Sequence, residues 1–278
     1  MNYDFNDLSF NYLNNQIVAE ENGYAENINE NYIYSIIDKL SENEYDTKAY
    51  VRPADNVQNL PDYCFIGNSQ LTTVDINKVS QIGIGTFELC QNLISVTKSG
   101  VAPIKLSYSS FAHCTQLQQL PMCNNAPDRC FYNCSSLSTV DFTNNVKSIG
   151  NYAFQNCTSL KYILLNGNIT SIGVSAFENT FNLHTIKLPD NLIYIEAMAF
   201  KNSGLENIRI PANVKFIEID AFAGNINLKR VTFECSETQE IMFNDNVFRG
   251  CPNIQIINKN NNIYVERFAK NCELTILS

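Results

Sequence analysis

The stretch ITSIGVSAFENTFNLHTIKLP, residues 169–189, carries a pattern that returns along most of this chain. Its phenylalanine, Phe177, is followed by apolar residues six, nine and eleven positions later. Those apolar residues are Leu183, Ile186 and Leu188. The stretch VKSIGNYAFQNCTSLKYILL, residues 146–165, has the same spacing from its own phenylalanine. A pattern that recurs at a fixed spacing is typical of a repeat protein.

Ten phenylalanines hold the position of Phe177, and we call them anchors. The anchors recur at a nearly constant spacing, and the pattern is most regular from Phe131 to Phe222. The anchors are Phe65, Phe87, Phe111, Phe131, Phe154, Phe177, Phe200, Phe222, Phe248 and Phe268. This spacing predicts about ten coils, each with a length of roughly 20–26 residues, which is within the range of known repeat units.

Each coil contains two short apolar segments. The segment from Leu183 to Leu188 alternates apolar and polar residues in its second half, as a strand does. A second run such as VKSIG ends in a glycine, and Gly83, Gly150 and Gly173 suit a tight turn or a positive φ. One coil cannot bury both of its faces, so coils must stack and share their apolar layers. We therefore expect a β-rich, right-handed, curved solenoid with short helical or 3-10 turns.

The repeat resembles the BspA-like branch of the leucine-rich repeats, whose units read I-x-x-I-G-x-x-A-F-x-x-C-x-x-L-x-x-I-x-L-P. The resemblance covers roughly residues 60–278 and implies a leucine-rich-repeat solenoid over residues 56–278. It also implies a non-enzymatic adhesion or recognition surface of the kind found on gut bacteria and parasitic protists, and similar arrays occur in phages of such bacteria. Fold alone does not specify function.

Residues 1–55 lie outside the repeat and hold most of the net charge of -9. Ten acidic residues and two lysines in residues 1–50 give this segment a charge of -8. Apolar residues at helical spacing within residues 28–40 predict one amphipathic helix. The segment is interpreted either as an N-terminal cap that covers the open end of the solenoid or as a docking segment for another protein.

Several classes of partner and location are disfavoured. The rest of the chain has 18 acidic and 17 basic residues, so no basic surface for nucleic acid is expected. No run of about 20 apolar residues is present, which argues against membrane insertion. The opening MNYDFNDLSF shows no signal-peptide pattern. We therefore expect a cytoplasmic location or a place within an assembly, unless export follows another route.

The cysteines follow the repeat. Five of the ten lie three residues after an anchor, where other coils have Asn, Thr or Ser. These five are Cys90, Cys114, Cys134, Cys157 and Cys251. A small buried position explains them, so we expect reduced thiols. A zinc site can be assembled from His113, Cys114, Cys123, Cys130 and Cys134, but their spacing is not that of a standard zinc site. No cofactor, metal ligand or catalytic residue is predicted.

The outward positions of the main strands offer one candidate binding surface. The residues assigned to it are Tyr162, Leu164, Lys187, Arg209 and Arg230. Aromatic and arginine side chains are enriched in binding hot spots, although the same positions could form an ordinary solvated face. Reversing the charge of both arginines is expected to abolish partner capture without changing the melting temperature.

Two functional hypotheses remain open at this point. The first is a module that recognises another protein or a surface glycan through the strand face. The alternative is a structural or host-attachment component of a larger assembly, such as a phage virion, that docks through residues 1–55.

Overall fold

The computed structural model describes residues 11–13, 16–18, 50–53, 56–165 and 168–277. The repeat forms a β-solenoid of about ten coils, as predicted. In chain order the strands are β1 Asn11–Leu13, β2 Gln16–Val18, β3 Tyr50–Val51, β4 Asn59–Leu60, β5 Thr73–Asp75, β6 Gln81–Ile82, β7 Ser95–Thr97, β8 Thr139–Val140, β9 Ser148–Ile149, β10 Tyr162–Ile163, β11 Ser171–Ile172, β12 Tyr194–Ile195, β13 Asn207–Ile210, β14 Phe216–Ile217, β15 Arg230–Phe233, β16 Met242–Phe243, β17 Gln255–Asn258 and β18 Thr275–Leu277.

The strands of the coils form two ribbons in which every pairing is parallel. The main ribbon contains β3–β5–β7, β8–β10 and β13–β15–β17–β18. The second ribbon contains β4–β6 and β9–β11–β12–β14–β16. The predicted strand from Leu183 to Leu188 forms no strand pairing, so the main ribbon is interrupted between β10 and β13. The second ribbon continues through the same coil.

The anchors form the centre of the hydrophobic core. From Phe65 to Phe248, nine rings stack with centroids 5.1–5.9 Å apart and interplanar angles of at most 28°. Seven of them, from Phe87 to Phe222, are fully buried. Burial of each ring contributes roughly 1.5–3 kcal/mol, so this stack supplies a large part of the stability of the fold.

The turns around the anchors depend on left-handed backbone conformations. In every coil from Phe65 to Phe248, the residues two before and two after the anchor have positive φ. The predicted glycines are not among them, so the positive-φ interpretation of Gly150 and Gly173 was wrong. A Cβ on Gly150 would instead lie 2.4 Å from the backbone nitrogen of Asp128 in the preceding coil. These glycines are required because neighbouring coils approach so closely.

An amide ladder runs along the positions two residues after the anchors. The side-chain nitrogens of the last three asparagines each donate to the side-chain oxygen of the asparagine one coil earlier, at 2.7, 2.8 and 3.1 Å. The four members are Asn133, Asn156, Asn179 and Asn202. Asparagine fits this position because it tolerates positive φ better than most residues and because its amide both donates and accepts.

The buried position three residues after the anchor is a hydrogen-bond donor position. Five cysteines donate from Sγ to the carbonyl oxygen of the anchor in the preceding coil, at 2.9–3.2 Å. They are Cys90, Cys114, Cys134, Cys157 and Cys251. In other coils Thr180 donates to the carbonyl of Phe177, and Asn225 donates to those of Phe200 and Phe222. The sequence indicated a small buried residue here, and the structure adds the requirement for a donor.

The far end of the solenoid is covered by helix α1, Ile263–Asn271. Asn262 caps it by accepting hydrogen bonds from the backbone nitrogens of Tyr264 and Val265. The last anchor, Phe268, lies in this helix and stacks on Phe243 with centroids 4.0 Å apart. Within the described ranges, α1 is the one helix, and none is long and apolar enough to cross a bilayer.

The leading segment contributes a short antiparallel pair, β1 with β2, which the sequence did not predict. The helix predicted within residues 28–40 lies outside the described residues. The division of the chain at residue 55, and the choice between a cap and a docking segment, therefore stay predictions.

Candidate functional site

The outward side chains of the main ribbon form a surface that we call the strand face. Its residues occupy two rows, at the outward positions before and after the buried central residue of each strand. Tyr162, Arg209 and Arg230 lie in β10, β13 and β15 of this ribbon, Leu164 directly follows β10, and Lys187 lies in the coil where the ribbon is interrupted. Tyr162, Leu164, Lys187, Arg209 and Arg230 are each exposed to solvent. The five residues lie on four successive coils, and their assignment to one binding surface stays a prediction.

Tyr162 and Leu164 form the apolar part of the strand face. Tyr162 is 51% exposed and Leu164 is 38% exposed, although both are large hydrophobic residues. Tyr162 pairs in register with Thr139 of the preceding coil, and Thr185 holds the corresponding place in the coil that follows. The fold therefore accepts threonine at this position, so the packing of the coil does not require a tyrosine.

Arg209 is held in an ion-pair network rather than presented as a free cation. Its guanidinium lies 3.2 Å from Asp190 and 2.5 Å from Glu234, and Glu234 also pairs with Lys259 at 2.6 Å. Hydrogen bonds from Arg209 and then from Lys259 lower the pKa of Glu234 to about 2. A glutamate at position 209 would face two carboxylates, so the expected unchanged melting temperature of the double arginine reversal does not fit this arrangement.

Lys187 and Arg230 supply the positive charge that remains on the strand face. Arg230 is exposed and lies in register between the uncharged residues Asn207 and Gln255. Neither cation forms an ion pair with any residue that the structure describes. Their charges are therefore accessible to a partner; Lys187 lies one coil after Tyr162 and Leu164, and Arg230 lies three coils after them.

A shallow apolar groove borders the strand face in the earlier coils, and sequence reasoning missed it. Its lining includes Val101, Leu120, Pro121 and Met122, and Val101 is 96% exposed. The groove arises where a loop after β7 makes one coil longer than the coils on either side of it. That longer anchor spacing, together with the loop sequence KSGVAP, was the signal that could have revealed it.

Each histidine ring lies within hydrogen-bonding distance of a neighbouring coil. The Nδ1 atom of His113 lies 3.1 Å from the amide nitrogen of Asn133, and burial followed by the charge of Arg129 lowers the histidine pKa. The Nδ1 atom of His184 lies 3.2 Å from the carbonyl oxygen of Gly204. Both rings therefore connect neighbouring coils.

The residues of the suggested zinc site are also used by the fold. Cys114 and Cys134 donate to anchor carbonyls, and Cys130 lies 4.0 Å from the carbonyl oxygen of Ala153. Burial raises the pKa of each of these thiols, which disfavours the thiolate that a metal requires. In the described part of the chain, no three histidine, cysteine or acidic side chains are grouped to hold a metal ion.

A family model described as the BspA type leucine rich repeat region matches residues 44–161 and 124–255, in six copies. The chain belongs to this family. No curated protein is similar enough in sequence to this BspA-type chain to count as a match.

Solved leucine-rich-repeat proteins are similar to this BspA-type chain at low identity. A leucine-rich-repeat protein of T. pallidum is 19% identical, with 84% of this chain and 87% of that chain covered and a TM-score of 0.40. One from Bacteroides ovatus is 16% identical, with 82% and 83% covered and a TM-score of 0.41. The pneumococcal vaccine antigen PcpA is 18% identical, with 78% and 69% covered and a TM-score of 0.38.

Proposed function

We propose that this chain is a recognition module that binds another protein through its strand face and carries out no chemistry on that partner. The observation that carries the proposal is the exposure of Tyr162 and Leu164, with the exposed cations Lys187 and Arg230 one and three coils further along the solenoid. An apolar centre with cationic neighbours resembles the composition of binding hot spots. The proposed partner surface is apolar with acidic residues at its edge.

The shape of the solenoid supports this proposal. The strand face is carried on stacked coils that are held together by the buried anchor stack, so binding it would require little reordering of the scaffold. A rigid surface loses less conformational entropy on binding than a flexible one. The apolar groove at Val101 and Met122 would extend the same contact toward the earlier coils.

A protein partner is favoured over a surface glycan because of the side-chain chemistry. Leu164, Val101, Leu120 and Met122 offer no hydrogen-bond donors or acceptors to sugar hydroxyls. Apolar contact with a protein gains from the area removed from water, whereas a glycan hydroxyl placed there would be left without a partner. A glycan is therefore treated as the alternative outcome of the test.

The absence of catalysis is part of the proposal. The two histidines hold coils together, and the buried thiols have raised pKa values that oppose nucleophilic chemistry. What the described surface offers instead is exposed apolar and cationic side chains.

The test replaces the apolar pair with residues that other coils already use. In the variant, Tyr162→Thr is combined with Leu164→Thr, as at Thr185 and Thr232. Wild-type and variant chains are immobilised, and proteins retained from cells and culture of the source are quantified by mass spectrometry. We expect one protein to be retained by the wild type and lost by the variant. Its purified form should bind the variant at least about thirtyfold more weakly.

The matched control is Ser148→Thr, a change on the second ribbon that should leave retention unchanged. Equal retention of every protein by the wild type and by the strand-face variant would overturn the proposal. Loss of binding to an immobilised oligosaccharide, with no protein lost, would reassign the strand face to a glycan.

A further inference from the structure

A second surface lies on the other ribbon, where the outward residues change character part-way along the solenoid. At the outward position of β9 and β11 the chain has Ser148 and Ser171. In β12, β14 and β16 the same position holds Tyr194, Phe216 and Met242. These three residues pair in register from coil to coil, and we call them the outer column.

The outer column is stacked and exposed. The rings of Tyr194 and Phe216 are 4.9 Å apart at an angle of 7°. Tyr194 is 41% exposed, Met242 is 57% exposed and Phe216 is half-buried. Serine occupies the position in the two preceding strands of the same ribbon, so the fold does not require large apolar residues here. Adjacent apolar side chains of this size on a sheet surface are typical of an interaction site.

Two carboxylates accompany the outer column. Glu196 and Glu218 lie two residues after Tyr194 and Phe216, and alternate residues of a strand point to the same face. In the two earlier coils, Gly150 and Gly173 stand at the position that Glu196 and Glu218 hold. Burial and then the charge of Glu218 raise the pKa of Glu196.

These carboxylates are not neutralised by the protein's own cations. Among the residues that the structure describes, neither Glu196 nor Glu218 is ion-paired with a lysine or arginine. Glu218 accepts a hydrogen bond from the side-chain amide of Asn244. Lys215 is exposed next to Phe216 but pairs with neither carboxylate. Two like charges in neighbouring coils therefore lie beside an aromatic stack.

We propose that the outer column is a docking surface for a protein segment that presents arginine side chains. The stem of an arginine would cover apolar surface at Tyr194 and Phe216. Its planar guanidinium stacks on aromatic rings and pairs with carboxylates, which matches both components of this surface. The repulsion between Glu196 and Glu218 is relieved when a cation lies between them. This surface is separate from the strand face and does not depend on the function proposed for it.

The test uses a short fluorescein-labelled peptide in which arginine alternates with serine, and measures its binding to the full chain by fluorescence anisotropy. A matched peptide carries citrulline, which keeps the shape of arginine but removes its charge. We expect the arginine peptide to bind and the citrulline peptide to bind at least about fivefold more weakly. Binding should weaken further as salt is added.

Two double variants separate the components of the surface. Tyr194→Ser with Phe216→Ser restores the residue of the earlier coils, and Glu196→Gln with Glu218→Gln removes both charges. Each should weaken peptide binding by at least about fivefold. The glutamine variant should also melt no lower than the wild type, because ionisation of Glu196 opposes folding when its pKa is raised. A purely structural role would not lower binding while stability is kept.

The control variant, Asp141→Asn with Glu206→Gln, removes two carboxylates from other surfaces and should bind the peptide normally. The strand-face variant, Tyr162→Thr with Leu164→Thr, should also bind the peptide normally. Equal binding of the arginine and citrulline peptides, or unchanged binding by the glutamine variant, would overturn the proposal. A dimer of the chain that is lost on Tyr194→Ser with Phe216→Ser, without peptide binding, would assign the outer column to a second copy.

Discussion

The anchor stack and the outer column are both columns of side chains repeated at the spacing of one coil, but one lies inside the solenoid and the other outside. Inside, phenylalanine recurs in nine successive coils with rings 5.1–5.9 Å apart. Outside, the apolar residues last for three coils and are preceded by Ser148 and Ser171. The interior repeats because each ring must pack on two others. The outer position is not constrained in this way, so its residues are available for binding.

The largest expected effect is on the interior column. Phe154→Ala removes a fully buried ring that stacks on Phe131 and Phe177. It should lower the free energy of unfolding by about 3–5 kcal/mol, measured by urea denaturation. Phe216→Ala on the outer column should lower it by about 1 kcal/mol or less. Similar losses for the two variants would contradict the distinction between the columns.

A smaller effect is expected at the donor position beside the interior column. Cys134→Ala leaves the carbonyl oxygen of Phe111 without the hydrogen bond that Sγ donates at 3.0 Å. The loss should be about 1–3 kcal/mol in the free energy of unfolding. Cys272→Ala is the control, because that cysteine is exposed and should change stability by about 0.5 kcal/mol or less. Equal effects would mean that the buried thiol stabilises the fold neither by its hydrogen bond nor by packing.

A pH-dependent effect is expected at Glu88, which directly follows the anchor Phe87 and is only partly buried. Burial raises the pKa of Glu88 to about 7, against a smaller opposing effect of Arg129. The folded protein therefore binds a proton that the unfolded chain releases, and stability should fall as pH rises from about 4.5 to about 7.

Glu88→Gln should flatten this dependence and raise the melting temperature at pH 8 relative to the wild type. Thermal unfolding monitored by circular dichroism across the pH range measures both. Glu240→Gln, at an exposed glutamate, should leave the profile of the wild type unchanged. If the Glu88 variant kept the slope of the wild type, the pKa of this carboxyl would not be raised in the folded protein.

The sequence predicted the interior more completely than the surface. The anchors and the buried residues between them follow from a regular spacing, because packing imposes the same residue in every coil. The close approach at Gly150 was missed, and its positive-φ alternative was wrong, because the backbone of Asp128 that approaches it belongs to the preceding coil and is distant in the sequence. The donor role of Cys134 was missed for a similar reason, since its acceptor also belongs to the preceding coil.

The candidate sites were predicted only in part. The sequence placed Tyr162 and Arg209 on one face, but it did not show that Asp190 and Glu234 neutralise the arginine. Each of these acids is separated from Arg209 in the sequence by close to the length of one coil. The three residues of the outer column are likewise separated from one another in the sequence by about the length of one coil. Comparing surface positions at that spacing would have revealed both arrangements.

The amide ladder has a consequence for how arrays of this kind can change in length. Its members Asn133, Asn156 and Asn179 are 23 residues apart, and each side chain donates to the coil before it and accepts from the coil after it. A duplicated coil of the same length, inserted at this place, would find its donor and acceptor already matched. Unequal recombination within the gene can therefore lengthen or shorten the solenoid by whole coils without leaving an unpaired amide in this row.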